Sequence, residues 1–460
     1  MTAIPKKTET LSSKFLPPTA NIPPPLILPW HTTSSMPRQK VSGSTKTRIN
    51  GSITSGLESN PPKTPTLENS ESSLSDRHMF VHDSESDWDQ FDHEQVDYNV
   101  GKFRFRYREM TPPLIKTYVH GVKNSEDTII TVLDGGFATQ LGCHVEDTID
   151  GDPLWSARFL KTNPQAVIDT HLDFLRAGAD VIMTNTYQAN INGFIKYLNL
   201  SKEESYKLIK EAVSYAKIAR TRFHEEFVDN LKPTPLIVGS VGPYGASLHD
   251  GSEYNGSYAK SVSKEVMMEW HRPRIEALIE AGITILGLET IPCQVEAEML
   301  VELIKEYSSI KAWLSFSCSN DGKSLANGDD FQEAARKCYD LNPQQILAVG
   351  VNCLAPKLIE SLLTDINKNR STNPVPLIVY PNSGEIYNVE LGWINHDQCE
   401  SLVSYVPKWL DLGVTWIGGC CRTYAADVTR IKNEVLKWQH AQKQKRIMEN
   451  PIVTNGIEVN

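Results

Sequence analysis

Residues 128–137 read TIITVLDGGF, and the turn that ends this run, Asp134-Gly135-Gly136-Phe137, separates two architectures. The run before the turn is continuously apolar and β-branched, as suits a parallel strand buried on both faces. Alternating strands and helices build either an open doubly wound sheet or a closed (β/α)8 barrel. The open form normally places a G-x-G-x-x-G phosphate loop after its first strand. This turn lacks that spacing. Working outward, seven further runs of the same kind follow: 179–187 (ADVIMTNTY), 235–243 (PLIVGSVGP), 284–292 (TILGLETIP), 311–318 (KAWLSFSC), 346–353 (ILAVGVNC), 376–383 (PLIVYPNS) and 414–421 (VTWIGGCC). The intervals carry helical patterns. Residues 164–177 open on Pro164 and stop before Gly178, residues 265–281 stop before Gly282, and 293–307 and 330–341 behave alike. Strand and helix alternating eight times over about 300 residues predict an α/β fold of the (β/α)8 TIM-barrel class.

The flanks differ. Residues 1–75 are rich in Pro, Ser, Thr and Lys, 82–98 are acidic, and 102–118 are more apolar. Such a composition buries too little surface to offset chain entropy, so 1–127 is expected to be a largely disordered extension. The first 50 residues hold seven Lys/Arg and one acid, Glu9, loosely resembling a transit peptide, but the prolines disfavour the helix such peptides use. A regulatory tail is the other reading. The barrel is expected over 128–440, with a flexible tail over 441–460.

Over all 460 residues, 40% are hydrophobic and 22% charged, enough for a large core. The net charge of −10 argues against nucleic acid as a partner. No run approaches the ~20 apolar residues of a membrane span. The 8 cysteines are spread thinly, unlike a secreted disulfide scaffold, so a reducing, cytoplasmic setting is the expectation.

In a barrel the strand C-terminal ends converge on one mouth. There the runs deliver Asp134, Asn185 and Thr186, Ser240 and Tyr244, Glu289, Ser317 and Cys318, Asn352 and Cys353, Tyr380 and Asn382, and Cys420 with Cys421. A single strand-end Cys is most often a small buried hydrophobe. The Gly418-Gly419-Cys420-Cys421 stretch is harder to explain that way. The glycines free the backbone to turn both thiols inward, and vicinal cysteines rarely bond each other without strain. With Cys353 they offer three thiolates, a donor set that suits zinc and leaves a fourth position open, as catalytic sites do. Cys318 competes for a place in that set on spacing alone. Glu289 and Asp134 can cap helices, or together hold a cationic group such as an ammonium.

These residues sit in motifs that resemble the homocysteine S-methyltransferase family: LDGGFATQLG (133–142), PLWSARFL (153–160), HLDFLRAGADVIMTNTYQAN (171–190), GSVGPYGASLHDGSEYNGSY (239–258), LETIP (288–292), GVNC (350–353), VYPNSGE (379–385) and GGCCRT (418–423). The likeness is strongest to members that use S-methylmethionine. It implies a barrel enzyme that methylates L-homocysteine to methionine, with Zn2+ held by Cys353, Cys420 and Cys421, which removes Cys318 from contention. It implies Glu289 on the homocysteine ammonium, Asp134 beside it, and the Gly135, Gly136 and Phe137 amides near its carboxylate; Asn352 completes the expected substrate set. Thr290 stands where betaine-type relatives have an aromatic residue, and their long C-terminal dimerisation arm has no counterpart, so the resemblance implies a monomer and argues against betaine. The donors expected are S-methylmethionine or S-adenosylmethionine. A sulfonium is a cation that ring faces can hold, and Trp155, Tyr244 and Tyr380 are the candidates. The rivals are another donor, a barrel with a merely structural zinc, and a Schiff-base lyase; the last would need a strand-end lysine, which none of the eight runs supplies.

Overall fold

Each of the eight apolar runs contributes a strand, because aliphatic and β-branched side chains fill both faces of a sheet that has a core inside and helices outside. The structure, a computed structural model, describes residues 129–226, 233–388 and 392–449. The expected extension over 1–127 lies outside the described residues, as does 450–460. In chain order the elements are β1 (Thr131–Val132), α1 (Phe137–Leu141), α2 (Phe159–Thr162), α3 (Pro164–Arg176), β2 (Val181–Met183), α4 (Ile191–Leu198), α5 (Lys202–Glu226) and β3 (Leu236–Val241). Then come α6 (Lys264–Glu280), β4 (Ile285–Ile291), α7 (Gln294–Leu303), β5 (Lys311–Phe316), α8 (Phe331–Leu341), β6 (Ile346–Asn352), α9 (Ile359–Leu363) and β7 (Leu377–Tyr380). An antiparallel hairpin of β8 (Ile386–Asn388) and β9 (Gly392–Ile394) precedes α10 (Val406–Asp411), β10 (Val414–Ile417) and α11 (Ala425–Glu449).

Eight strands pair in parallel in the order β1-β10-β7-β6-β5-β4-β3-β2. The ring closes between its ends. Leu133 bridges Val181, the Asp180 amide donates to the Val132 carbonyl (2.7 Å), and the Asp180 carboxylate accepts from the Val132 amide (2.9 Å). This is the predicted barrel. Its interior is packed by Leu133, Val181, Val238, Ile285, Trp313, Ala348, Ile378, Tyr380 and Trp416. Trp313 lies 5.8 Å from the Trp416 ring.

The helices begin where the sequence offers caps. Asn163 accepts from Ala166 N at 3.2 Å, Asn190 from Gly193 N at 2.6 Å and Asp330 from Glu333 N at 2.9 Å. Ser201 and Glu204 form a reciprocal capping box ahead of α5. Two boundaries differ from expectation. The strands are shorter than the apolar runs, because the last residues of each run leave the ladder to build the mouth. Helix α11 passes through residue 440 to Glu449, since nothing between Ala425 and Glu449 is Gly or Pro. Among the described residues no helix is long and apolar enough to cross a membrane.

Candidate active site

The residues that leave the ladder are stitched to one another. Gly419 N donates to the Asp134 carbonyl (3.0 Å), Cys420 N to that of Pro381 (2.7 Å), Ser383 N to that of Cys421 (3.2 Å) and Gly136 N to that of Thr423 (2.9 Å). Close approach, rather than a left-handed backbone, is what requires the glycines of the β10 turn. Neither Gly418 nor Gly419 has a positive φ, but a Cβ on Gly418 would sit 2.7 Å from that of Leu133, and one on Gly419 would collide with the Thr423 side chain.

This packing brings together the three expected thiols. The Sγ atoms of Cys353, Cys420 and Cys421 lie within 4.8 Å of one another, and Cys353 Sγ is 3.4 Å from Cys421 Sγ. Hydrogen bonds from the flanking thiols hold Cys353 well below the ordinary thiol range, whereas those same hydrogen bonds to Cys353, with burial, hold Cys420 and Cys421 above it. Four-coordinate zinc with bonds of about 2.3 Å would set sulfurs about 3.8 Å apart, so the cluster has the spacing and chemistry for a thiolate-bound metal. Cys318 is not part of it; it is buried beside Leu325, and burial pushes its thiol up.

Backbone strain gathers here. Cys353 (φ 54°), Thr290 (φ 61°), Trp155 (φ 48°) and Arg422 (φ 64°) are all left-handed, and for β-branched Thr290 this is a true outlier. Asn352 supports it: its Oδ1 accepts from Thr290 N (2.8 Å) and its Nδ2 donates to Thr290 Oγ1 (2.7 Å), with Cys420 Sγ at 3.9 Å. Fully buried, Asn352 is a brace behind the sulfur cluster and not a wall of the cleft where substrate was expected to meet it.

The cleft beside the cluster is lined by Asp134, Gly135, Gly136, Phe137, Trp155 and Glu289 among the expected residues, with Tyr380, Cys420 and Cys421. Asp134 Oδ2 accepts from Met183 N (2.8 Å), while Oδ1 has no protein donor among the described residues. Glu289 accepts from the Ser240 hydroxyl. Burial raises Asp134 well above the carboxylate range and pushes Glu289 up to about 7 against that hydrogen bond, with the Cys353 charge adding to the rise. Two buried acids facing one cleft suit a bound cation. Gly136 cannot offer its amide as expected, since it is committed to Thr423 O and Oγ1.

Among the aromatic candidates, Trp155 stands in the cleft wall, edge-on to Tyr187 at 5.9 Å. Tyr380 reaches the cleft from inside the barrel, its hydroxyl fixed by Ser315 and by Trp313 Nε1 (3.1 Å). Tyr244 does not line the cleft. It packs on Trp270 (5.3 Å) and Tyr258 (5.6 Å), and its amide donates to the buried Glu296 carboxylate (2.7 Å). That carboxylate also receives the Tyr258 hydroxyl and His271 Nε2 (2.8 Å). Tyr187, Thr184, Ser156 and Met183 also line the cleft; they lie within the quoted runs at 153–160 and 171–190, but no residue type or spacing there singles them out. The turn bearing Tyr187 is tied by Arg274, a buried guanidinium donating to the carbonyls of Thr186 (2.8 Å), Tyr187 (2.7 Å) and Gly242 (3.0 Å). A signal for it exists: Met267, His271, Arg274 and Leu278 form one helical stripe, so two basic residues interrupt an apolar face.

Comparison with known proteins gives concordant results. The homocysteine S-methyltransferase family profile matches residues 131–435. A betaine-homocysteine S-methyltransferase of Drosophila melanogaster is 46% identical over 314 residues, 66% of this chain and 94% of that protein. The homocysteine S-methyltransferase YbgG of Bacillus subtilis is 40% identical over 319 residues, 68% of this chain and 96% of its own. Among solved structures, the metallated form of the homocysteine methyltransferase MmuM from Escherichia coli superposes with a TM-score of 0.58 at 36% identity, covering 69% of this chain and 99% of that one.

Proposed function

This chain belongs to the homocysteine S-methyltransferase family, and from that premise we propose that it moves a methyl group from S-methylmethionine, or S-adenosylmethionine in its place, to L-homocysteine, forming methionine with the help of zinc. The observation that carries this reading is the trio of sulfurs from the ends of β6 and β10, within 4.8 Å of one another at the edge of a cleft that also holds two buried acids. Cys353, Cys420 and Cys421 would hold the ion. Bound there, zinc supplies what a free thiol of pKa ~8.5 lacks near neutral pH, a deprotonated sulfur in a fixed place.

The chain's own groups do the rest. Asp134 and Glu289 both line the cleft, and a substrate ammonium there would draw both acids back to their charged forms. Homocysteine is thereby oriented with its sulfur toward the cysteines. Trp155 and Tyr187, packed edge-on against each other on the same cleft wall, are the aromatic groups that would meet the sulfonium. The thiolate then attacks the methyl carbon, the carbon–sulfonium bond breaks, and its electron pair stays on the departing sulfur as a neutral thioether. No acid is needed for the leaving group, so in-line alignment is the main contribution.

Betaine is the second reading, favoured by the name of the Drosophila relative. Thr290 after Glu289, where betaine-type relatives carry an aromatic residue, weighs against it. We place the enzyme in the cytoplasm, a reading supported by eight cysteines that are all free thiols, Cys143 exposed among them. The deciding experiment supplies homocysteine with one donor at a time and measures methionine. S-Methylmethionine should support turnover, a chelator should abolish it, and zinc should restore it. Turnover with betaine alone, or turnover indifferent to chelation, would overturn the reading.

A further inference from the structure

Tyr254 carries a hydroxyl that the mechanism above does not use. The residue is 3% exposed, and its hydroxyl oxygen lies 3.8 Å from Cys353 Sγ, the one hydrogen-bond partner it has among the described residues. A buried phenol hydroxyl is costly unless it is bonded, and phenylalanine would fill nearly the same volume without that cost. The partner is therefore informative. A protonated sulfur is a weak acceptor, but a thiolate is a charged and stronger one. Cys353 is one of the three sulfurs placed to hold a metal.

The loop after β3 is built to hold Tyr254 there. It passes through the short 3-10 turn Ser252–Tyr254, between left-handed Gly251 (φ 76°) and Gly256 (φ 61°). Asp250 accepts from Ser252 N (2.9 Å), the Tyr254 amide donates to the Gly251 carbonyl (3.0 Å), and the Gly256 amide donates to that of Ser252 (2.7 Å). The turn is also tightly enclosed: a Cβ on Gly245 would stand 2.8 Å from Glu253 N, and one on Gly256 would stand 2.8 Å from Asn327 Cβ. Further along, the Tyr258 hydroxyl is bound to the buried Glu296 carboxylate. Opposite the turn, Cys353 is fixed by its own amide, which donates to the Tyr380 carbonyl at 3.1 Å. Another side-chain donor at the cluster, Asn352 Nδ2 at 3.9 Å from Cys420 Sγ, is shared with Thr290 Oγ1.

We propose that the Tyr254 hydroxyl donates a hydrogen bond to the Cys353 thiolate and so sets how much negative charge the sulfur cluster can carry. The inference rests on the reading of the three cysteines as metal ligands. A metal-bound thiolate has no proton to give, so in that state only the tyrosine can be the donor. Three cysteinates and a substrate thiolate around one divalent ion leave the cluster net negative, and a hydrogen bond to one sulfur spreads part of that charge onto the protein. Tyr254 does not line the cleft, so it acts through Cys353 as a positioning residue.

The test reads the sulfur directly. In the full chain, Tyr254→Phe should raise the zinc dissociation constant on the order of tenfold in competition with a chromogenic chelator. With cobalt in place of zinc, the thiolate-to-cobalt charge-transfer band should move to longer wavelength, because sulfur lone pairs without a hydrogen bond give up an electron more easily. KM for homocysteine, which brings a further negative sulfur to the cluster, should rise by roughly the same factor, with kcat equal to or above that of the parent. Replacing Tyr254 with 3-fluorotyrosine, a stronger donor of nearly the same shape, should move the cobalt band to shorter wavelength. A zinc constant within twofold of the parent's, or a cobalt band that neither replacement moves, would overturn the proposal. The fluorinated chain decides it even where Tyr254→Phe folds poorly. An oxygen neighbour of zinc, seen by X-ray absorption in the parent and lost in Tyr254→Phe, would also overturn it, since the hydroxyl would then be a ligand. A parent that binds metal through three sulfurs while these replacements change nothing refutes the role of Tyr254 alone; a parent that binds no metal refutes the metal reading as well.

Discussion

Replacing Asn352 with alanine should disable the site by releasing a strained backbone. Asn352 is fully buried and spends its side chain on Thr290, one bond to the amide at 2.8 Å and one to the hydroxyl at 2.7 Å. Each bond contributes about 1 kcal/mol net, and the abandoned Thr290 amide, still buried, costs about 1–3 kcal/mol more. Relaxation of Thr290 away from φ 61° returns about 1 kcal/mol. The balance is a loss of about 2–4 kcal/mol, read as a shift of the urea midpoint at constant m-value. Because Cys353 follows Asn352 directly, zinc affinity should fall in the same variant. Asn352→Asp is the control: it keeps an acceptor for the Thr290 amide, so it should retain more stability while placing a charge beside Cys420. A loss below about 1 kcal/mol in Asn352→Ala, with zinc retained, would show that the brace is idle.

Other expectations follow from single contacts. His171 is buried with neither ring nitrogen bonded to a described residue, and burial pushes its pKa down to about 3. Its unfolded value is about 6.5, so the stability linked to its neutral form is complete above that pH and falls by about 1.4 kcal/mol per unit as pH drops toward 3. His171→Phe should flatten this acid limb in pH-dependent denaturation; an unchanged slope contradicts the assignment. A Cβ at position 136 would strike the Cys420 carbonyl, so Gly136→Ala should lower kcat/KM on the order of 100-fold, and parental kinetics would refute the fit. Cys318→Ala should leave zinc stoichiometry untouched; metal loss there would mean that the donor set is misassigned.

Much of this was legible along the chain, and the parts that were not share a cause. The eight strands show as continuous apolar runs, and four of the helices, over 164–177, 265–281, 293–307 and 330–341, as patterned stretches between them, while others such as Lys202–Glu226 are not singled out. The β8–β9 hairpin does not show, because three-residue strands are too short to have a period. Convergence of strand ends at a barrel mouth brought the thiols together but left Cys318 in contention, and the resemblance through the motifs at 350–353 and 418–423 selected Cys353, Cys420 and Cys421. Which way each neighbouring side chain points could not be read. Tyr244 leaves the cleft because Glu296 holds its backbone from across 52 residues. Gly136 has its amide taken by Thr423, 287 residues away, and Asn352 braces Thr290 at a separation of 62. Each of these outcomes is set by a partner remote in sequence, with no local signature.

Zinc-edge X-ray absorption on the purified chain, with and without homocysteine, tests the central claim most directly. One zinc per chain bound by three sulfurs, gaining a fourth when homocysteine is added, is the expected result. A spectrum unchanged by homocysteine, or a chain fully active without metal, would contradict it.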